Sequence, residues 1–239
     1  MNENDFVSFV VPAYNEERGI VKCLESIRRA CDAHCEVIVV DNNCTDSTAK
    51  IASSLADRVI TCVPQGISAA RNEGAAKARG KWIAFVDADA LVSPLWLSSV
   101  RPILQMDCID AVSGWNFFRE RNPMLFPYFN GYNAVFFAGF LLGLFFGKRL
   151  VVGNNLIIRR ETLLAAGGFP PFVGEDVKLS AILHRMGART TFSTRMRIGY
   201  SSRRLRAFGF WKTMALWIRS VGRDIPETNY RLDYHARTP

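Results

Sequence analysis

The feature that most restricts how this chain can fold is an alternation running through its first half. Short apolar runs, Val7 to Val11, Glu36 to Val40, Val59 to Cys62 and Trp82 to Val86, are separated by helical stretches at Gly19 to Ala30, Ser47 to Leu55 and Ser68 to Ala78. Runs this apolar, joined by helices of this length, predict a parallel sheet covered on both faces and wound with right-handed crossovers. The expected class is α/β. With 239 residues, 49% of them hydrophobic, the chain can bury one such core, and no linker or low-complexity tract divides it. The expected organisation is one domain over 1–206, with an amphipathic helix and tail over 207–239 as part of the same unit.

In sheets of this kind ligands bind beyond the carboxyl ends of the strands. The unusual residues collect there: Pro12-Ala13-Tyr14-Asn15-Glu16 after the first run, Asp41-Asn42-Asn43 after the second and Asp87-Ala88-Asp89 after the fourth. Each has a plain reading as a turn, a helix cap or a satisfied loop acid. Together they pool negative charge in one crevice, which is unfavourable unless a cation or hydrogen-bond donors occupy it. Residues two apart on a strand share a face, so Asp87 and Asp89 are expected to project together, with a divalent metal carrying a phosphate between them.

Four segments resemble the successive motifs of family 2 glycosyltransferases: VVPAYNEE at 10–17, VVDNNCTDST at 39–48, GISAARNEGAAKARGKWIAFVDADA at 66–90 and GGFPPFVGEDVKLS at 167–180. The likeness runs from Phe6 to Arg206 and implies the GT-A fold, a mostly parallel central sheet flanked by helices. It implies that Pro12, Ala13, Tyr14 and Glu16 frame the base of a nucleoside diphosphate sugar and that Asp41 contacts the base or ribose. Arg71 and Asn72 match the Arg-Asn pair beneath the nucleotide, Asp87 reaches the ribose or sugar, and Asp89 ligates Mg²⁺ or Mn²⁺. Leu91 stands where some relatives acting on polyprenyl phosphates carry a polar residue, which leaves further protein ligands open.

Glu175-Asp176 resembles the second acidic motif, with Asp176 the base for an acceptor hydroxyl and Glu175 its supporting acid; both residue types also suit a helix N-terminus. Displacement with one base implies inversion at the anomeric carbon. Arg203 and Arg204 resemble the basic motif near the diphosphate, where guanidinium groups bind oxygens in a fork, though a solvated basic loop fits too. His184 reads as a packed or surface residue, and His235 as a late ligand only.

The net charge of +8 suits an anionic membrane, a phosphorylated small substrate or a nucleic acid, and the absence of an aromatic-interleaved basic signature sets nucleic acid last. UDP is the first expectation for the nucleotide and GDP the second. Six cysteines without paired C-x-x-C spacing, and a start unlike a signal peptide, predict free thiols and a cytoplasmic protein. Within the segment 132–149, the uninterrupted apolar core Ala134 to Gly147 is shorter than the ~20 residues of a spanning helix, and the segment reads as a buried helix, an interfacial helix or a re-entrant hairpin. In 208–223, Phe210, Met214, Trp217 and Val221 share a stripe beside Lys212, Arg219 and Arg223. Both segments fit a protein peripheral to the inner face of a membrane, acting on a lipid-linked acceptor. The rival readings are a sugar nucleotidyltransferase and a non-catalytic membrane-bound protein. The first lacks its Gly-rich phosphate loop here, and the second has no use for Asp89 and Asp176.

Overall fold

The computed structural model describes residues 6–119, 151–203 and 223–227, with positions 209, 211–213, 215 and 218–219. The segment 132–149, Arg204, and the stripe of Phe210, Met214, Trp217 and Val221 lie outside the described residues.

The parallel half follows the alternation. β1 (Val7–Ala13), β2 (Cys35–Asp41), β3 (Arg58–Thr61) and β4 (Trp82–Val86) are linked by α1 (Ile20–Ala30), α2 (Thr48–Ala52) and α3 (Ile67–Lys77). Their order is β3-β2-β1-β4, so the chain winds outward to β3 and returns past β1 to lay β4 on its other side. The carboxyl ends of β1 and β4 therefore flank a topological switch point, where the loops part and leave room for a ligand.

The second half completes the sheet with mixed pairing. It comprises β5 (Leu91–Val92), α4 (Trp96–Leu104), β6 (Ala111–Phe118), β7 (Asn155–Arg159), α5 (Arg160–Ala165), α6 (Glu175–Arg185) and β8 (Thr190–Tyr200). β7 is antiparallel to β4 and β6, β8 is parallel to β6, and β5 is antiparallel to β8, giving the order β3-β2-β1-β4-β7-β6-β8-β5.

The period of two along β1 divides the core between the faces. Val7, Phe9, Val11 and Ala13 join Trp82, Trp96 and the α1 residues Ile20, Leu24 and Ile27, whereas Val10 joins Ile38, Phe85 and Phe169. α3 lies on this second face at close range. A Cβ at Gly74 would stand 2.3 Å from Val10 Cγ1, so only glycine lets the helix approach this near. That approach carries Arg71, one turn earlier, to the strand ends.

One expectation from composition is corrected. Cys31 and Cys35, with Cα atoms 6.1 Å apart across the α1–β2 turn, are paired as a disulfide, while Cys23, Cys44, Cys62 and Cys108 are in no disulfide. Spacing alone did not reveal the pairing, because it is the turn after α1 that brings the two side chains together.

Candidate active site

The loops after β1 and β2 are stitched together before any charge is considered. Pro12 pairs with Val40 and Ala13 with Asp41 in the β1–β2 register, and the Asn42 amide donates to the Ala13 carbonyl at 2.9 Å. Asn15 adopts a left-handed φ of 53°, and its Oδ1 accepts from the Thr45 amide at 2.8 Å. The Glu16 amide donates to Thr48 Oγ1 at 2.8 Å. Asp41 spends one oxygen on this scaffold, accepting from the Cys44 amide at 2.8 Å. Tyr14 stands half-buried in the same loop.

Two arginines gather the acids. Arg71, 2% exposed, donates from Nη2 to Asp87 Oδ1 at 2.9 Å and from Nη1 to Glu175 Oε1. Its guanidinium also lies over the Phe169 ring, 5.1 Å from the centroid. Burial opposes its charge, but Asp87 and Glu175 outweigh that and hold its pKa above the ordinary value. Arg203, just past β8, donates from Nη2 to Glu16 Oε1 and Oε2 at 2.7 and 2.8 Å and to Asp89 Oδ2 at 3.0 Å. The expectation that Asp87 and Asp89 project together at a strand end is thus corrected. β4 stops at Val86, the pair lies in a turn closed by Ala90 N–H donating to Asp87 O, and each acid faces its own arginine. The positive charge between the loops is a guanidinium, supplied from a distant part of the chain.

Asp176 sits beside the Arg71 cluster. Gly174, in the left-handed region at φ 75°, turns the chain into α6 and presents Glu175 and Asp176 at its first turn. Asp176 Oδ2 accepts from the Gly153 amide at 3.2 Å, and Oδ1 accepts from the Val177 amide at 2.9 Å. Burial, then the neighbouring Glu175 charge, push its pKa up to about 6, with the Gly153 hydrogen bond and Arg71 opposing. Burial likewise pushes Glu16 up to about 7, against the hydrogen bonds from Arg203. A carboxylate that titrates near neutrality can take up a proton and release it again at working pH.

The structure thus brings Glu16, Arg71, Asp87, Asp89, Glu175, Asp176 and Arg203 to one region beside Pro12, Ala13 and Asp41. Asn72 stands apart from it. Its side chain clips the Phe169 backbone, donating to the carbonyl at 2.9 Å and accepting from the amide at 2.8 Å, and so fixes the Gly-rich turn before α6. Thr48, Gly153 and Phe169 were missed in the sequence. A signal existed for Gly153, because the polar run Gly-Asn-Asn at 153–155 interrupts two apolar stretches.

Residues 8–164 match the model of glycosyl transferase family 2. The chain belongs to this family. Among curated family relatives, glycosyltransferase AglE of Haloferax volcanii is 30% identical over 203 residues, covering 79% of this chain and 64% of that protein. Succinoglycan biosynthesis protein ExoO of Rhizobium meliloti is 37% identical over 92 residues, covering 37% of this chain and 26% of its own length. The chain therefore spans about a quarter to two thirds of these relatives. Solved structures share the fold at lower identity. The mannosyltransferase PcManGT from Pyrobaculum calidifontis, in complex with GDP-Man and Mn²⁺, has a TM-score of 0.63 at 22% identity, covering 96% of this chain and 68% of that one. Glucosyl-3-phosphoglycerate synthase from Mycobacterium tuberculosis, in complex with phosphoglyceric acid, has a TM-score of 0.64 at 23% identity, covering 94% and 82%. The GT-A fold implied by the family 2 motifs is the fold of this chain.

Proposed function

We propose that the chain is a metal-dependent, inverting glycosyltransferase that moves a sugar from a nucleoside diphosphate to an acceptor hydroxyl or phosphate. The observation that carries this reading is the meeting of the two arginine–acid clusters at the switch point, with Asp176 held near neutrality at their edge. Pro12, Ala13, Tyr14, Glu16 and Asp41 line the β1 and β2 ends for the base and ribose, and Asp87 faces the ribose or sugar. UDP is the first candidate and GDP the second, supported by fold neighbours in complex with UDP or with GDP-Man.

The donor set fits a divalent cation. Among the described residues no three acidic, histidine or cysteine side chains gather as a complete metal cage. Mg²⁺ and Mn²⁺ do not need one, since one or two carboxylates with substrate phosphates suffice. Asp89 would hold the ion, and Glu16 stands across the same guanidinium, in a place already built around positive charge. When bound, such an ion supplies neutralisation of the charge that gathers on the diphosphate.

The chemistry of the chain's own residues follows from their placement. The acceptor oxygen attacks the anomeric carbon as its proton passes to the Asp176 carboxylate. The bond from that carbon to the diphosphate breaks, and the nucleoside diphosphate leaves with the electron pair. Attack opposite the leaving group inverts the centre. Glu175 holds Arg71 in place against Asp87, and Arg203, with Arg204 outside the described residues, offers a forked donor to the departing diphosphate.

A membrane-proximal, lipid-linked acceptor is supported by an exposed pattern. Trp211 and Ile218, 81% and 65% exposed, lie seven positions apart in sequence, each followed by an exposed basic residue, Lys212 and Arg219. Among the described residues no helix is long and apolar enough to cross a membrane. The location proposed is peripheral, at a cytoplasmic membrane face. We also read 207–239 as part of the same unit, because 223–227 pack on the loop before α6. The test is nucleotide release from a panel of donors, with and without acceptor, beside thermal shifts with UDP, GDP, CDP and dTDP in Mn²⁺ or EDTA. Metal-dependent stabilisation by one nucleotide, and release from its sugar, are expected. No stabilisation and no release across the panel would overturn the reading.

A further inference from the structure

Glu227 lies beyond the span matched by the family model, and is only 9% exposed. Its carboxylate reaches the start of α3. The Ser68 amide, second in that helix, donates to Glu227 Oε1 and Oε2 at 3.3 and 3.2 Å, and the Ser68 hydroxyl contacts Glu227 Oε1. The same hydroxyl lies 2.8 Å from the Pro170 carbonyl. No residue of α3's own sequence caps it through a side chain. Glu227 therefore supplies, from the far end of the chain, the acceptor that orphan amides at a helix N-terminus require, and its charge suits the positive end of the dipole.

Glu227 also belongs to a short strap on the loop that leads into α6. The Val173 amide donates to Ile225 O at 2.8 Å, the Glu227 amide donates to Pro171 O at 3.3 Å, and Phe172 bridges to Pro226. Lys178, on α6, donates to Arg223 O at 3.3 Å and pairs with Asp224. One residue thus joins two elements that each carry half of the buried ion pair, its carboxylate holding α3 and its backbone amide the loop before α6. Arg71 comes from α3, three residues after Ser68, and Glu175 opens α6 four residues after Pro171. Glu175 and Arg71 are both near enough to act on the Glu227 carboxyl electrostatically.

We propose that Glu227 is a positioning residue for the transfer reaction: by tying the N-terminus of α3 to the 170–173 loop it sets how Arg71 and Glu175 meet, and through them where Asp176 stands. This inference rests on the glycosyltransferase reading given above. A residue that only braces the fold would change stability and leave the kinetic constants of the folded fraction alone. A positioning residue changes kcat at unchanged donor affinity, because misplacing a reacting group lowers the rate without removing the groups that hold the donor.

The test compares Glu227→Ala, Glu227→Gln and Ser68→Ala in the full chain, normalised to folded protein by circular dichroism. Glu227→Ala is expected to lower kcat by about tenfold with donor KM within about twofold. Glu227→Gln, which can still accept from Ser68, should recover most of the loss, and Ser68→Ala should show a smaller loss in the same direction. Hydrogen exchange supplies a readout that needs no turnover. Amides of 170–178 should exchange about tenfold faster in Glu227→Ala, with β1 and β4 unchanged. Unchanged kcat in folded Glu227→Ala, or equal losses in the Gln and Ala variants, would overturn the proposal. Unchanged exchange at 170–178 would overturn it even if no donor were turned over, whereas wild-type protein inactive on every donor would count against the glycosyltransferase reading alone.

Discussion

Replacing Arg71 with Gln removes the cation that Asp87 and Glu175 share. The guanidinium is 2% exposed, Glu175 15% and Asp87 30%, so two carboxylates lose their counter-ion and only one of them has much access to water. Breaking a buried pair from one side costs about 3–5 kcal/mol, and the partial hydration of Asp87 points to the lower end, about 3 kcal/mol. For a chain of this size that is roughly a 10 °C fall in Tm. The loss should grow with pH. Asp176 titrates at about 6 in the folded chain against an ordinary 3.8, so its contribution to stability is fully present below 3.8 and is lost as pH rises through about 6. Arg71 is one of the influences holding that value down, so removing it moves the folded value higher still and extends the unfavourable window upward. Urea denaturation at pH 5 and pH 8 measures both effects, and the deficit should be larger at pH 8. A deficit under about 1 kcal/mol at both pH values, or one that shrinks as pH rises, would refute the argument that Arg71 carries the charge balance of this cluster.

Asp89→Ala should abolish the Mn²⁺-dependent part of the thermal shift given by the preferred nucleotide; retention of the full shift removes Asp89 as metal ligand. Arg203→Gln frees Glu16 and Asp89 from their shared guanidinium, so Mn²⁺ alone should bind more tightly by calorimetry while diphosphate binding weakens, and unchanged Mn²⁺ affinity would contradict the competition. Trp211→Ser with Ile218→Ser should release the protein from anionic vesicles in a flotation assay without changing its Tm, since both side chains are exposed; continued flotation would place the membrane contact elsewhere.

The parallel half of the fold was legible because β1, β2 and β4 are covered on both faces, which forces continuous apolar runs into the sequence. The strands added later were not legible for the opposite reason. β6, β7 and β8 carry Ser113, Asn116, Asn155 and Ser193, which break any simple pattern and are accommodated through contacts far along the chain. Asn155 alone donates to Trp115 O, Met196 O and Asn116 Oδ1 at 3.2, 3.1 and 2.9 Å. At the site, the acids were visible as strand-end and helix-start residues and Arg71 and Arg203 as basic motif residues, but which acids each arginine would meet was not. Arg71 meets Glu175 across 104 positions and Arg203 meets Glu16 across 187, separations at which local spacing carries no information. Asn72 shows the converse limit: it adjoins Arg71 in sequence, yet the helix turns it to a different task.

The central claim, that Asp176 accepts the acceptor's proton, is tested most directly by single-turnover transfer in Asp176→Asn across pH 5 to 9, at saturating nucleotide sugar. Asn keeps the size of the side chain and part of its hydrogen bonding but cannot take the proton. The wild-type rate should fall below an apparent pKa of about 6 as Asp176 protonates. The variant should bind nucleotide as the wild type does and transfer at a rate lower by roughly 10²-fold or more, with that acid limb gone. Transfer near the wild-type rate by folded Asp176→Asn, with the acid limb still in place, would contradict the assignment and pass the role to Glu175.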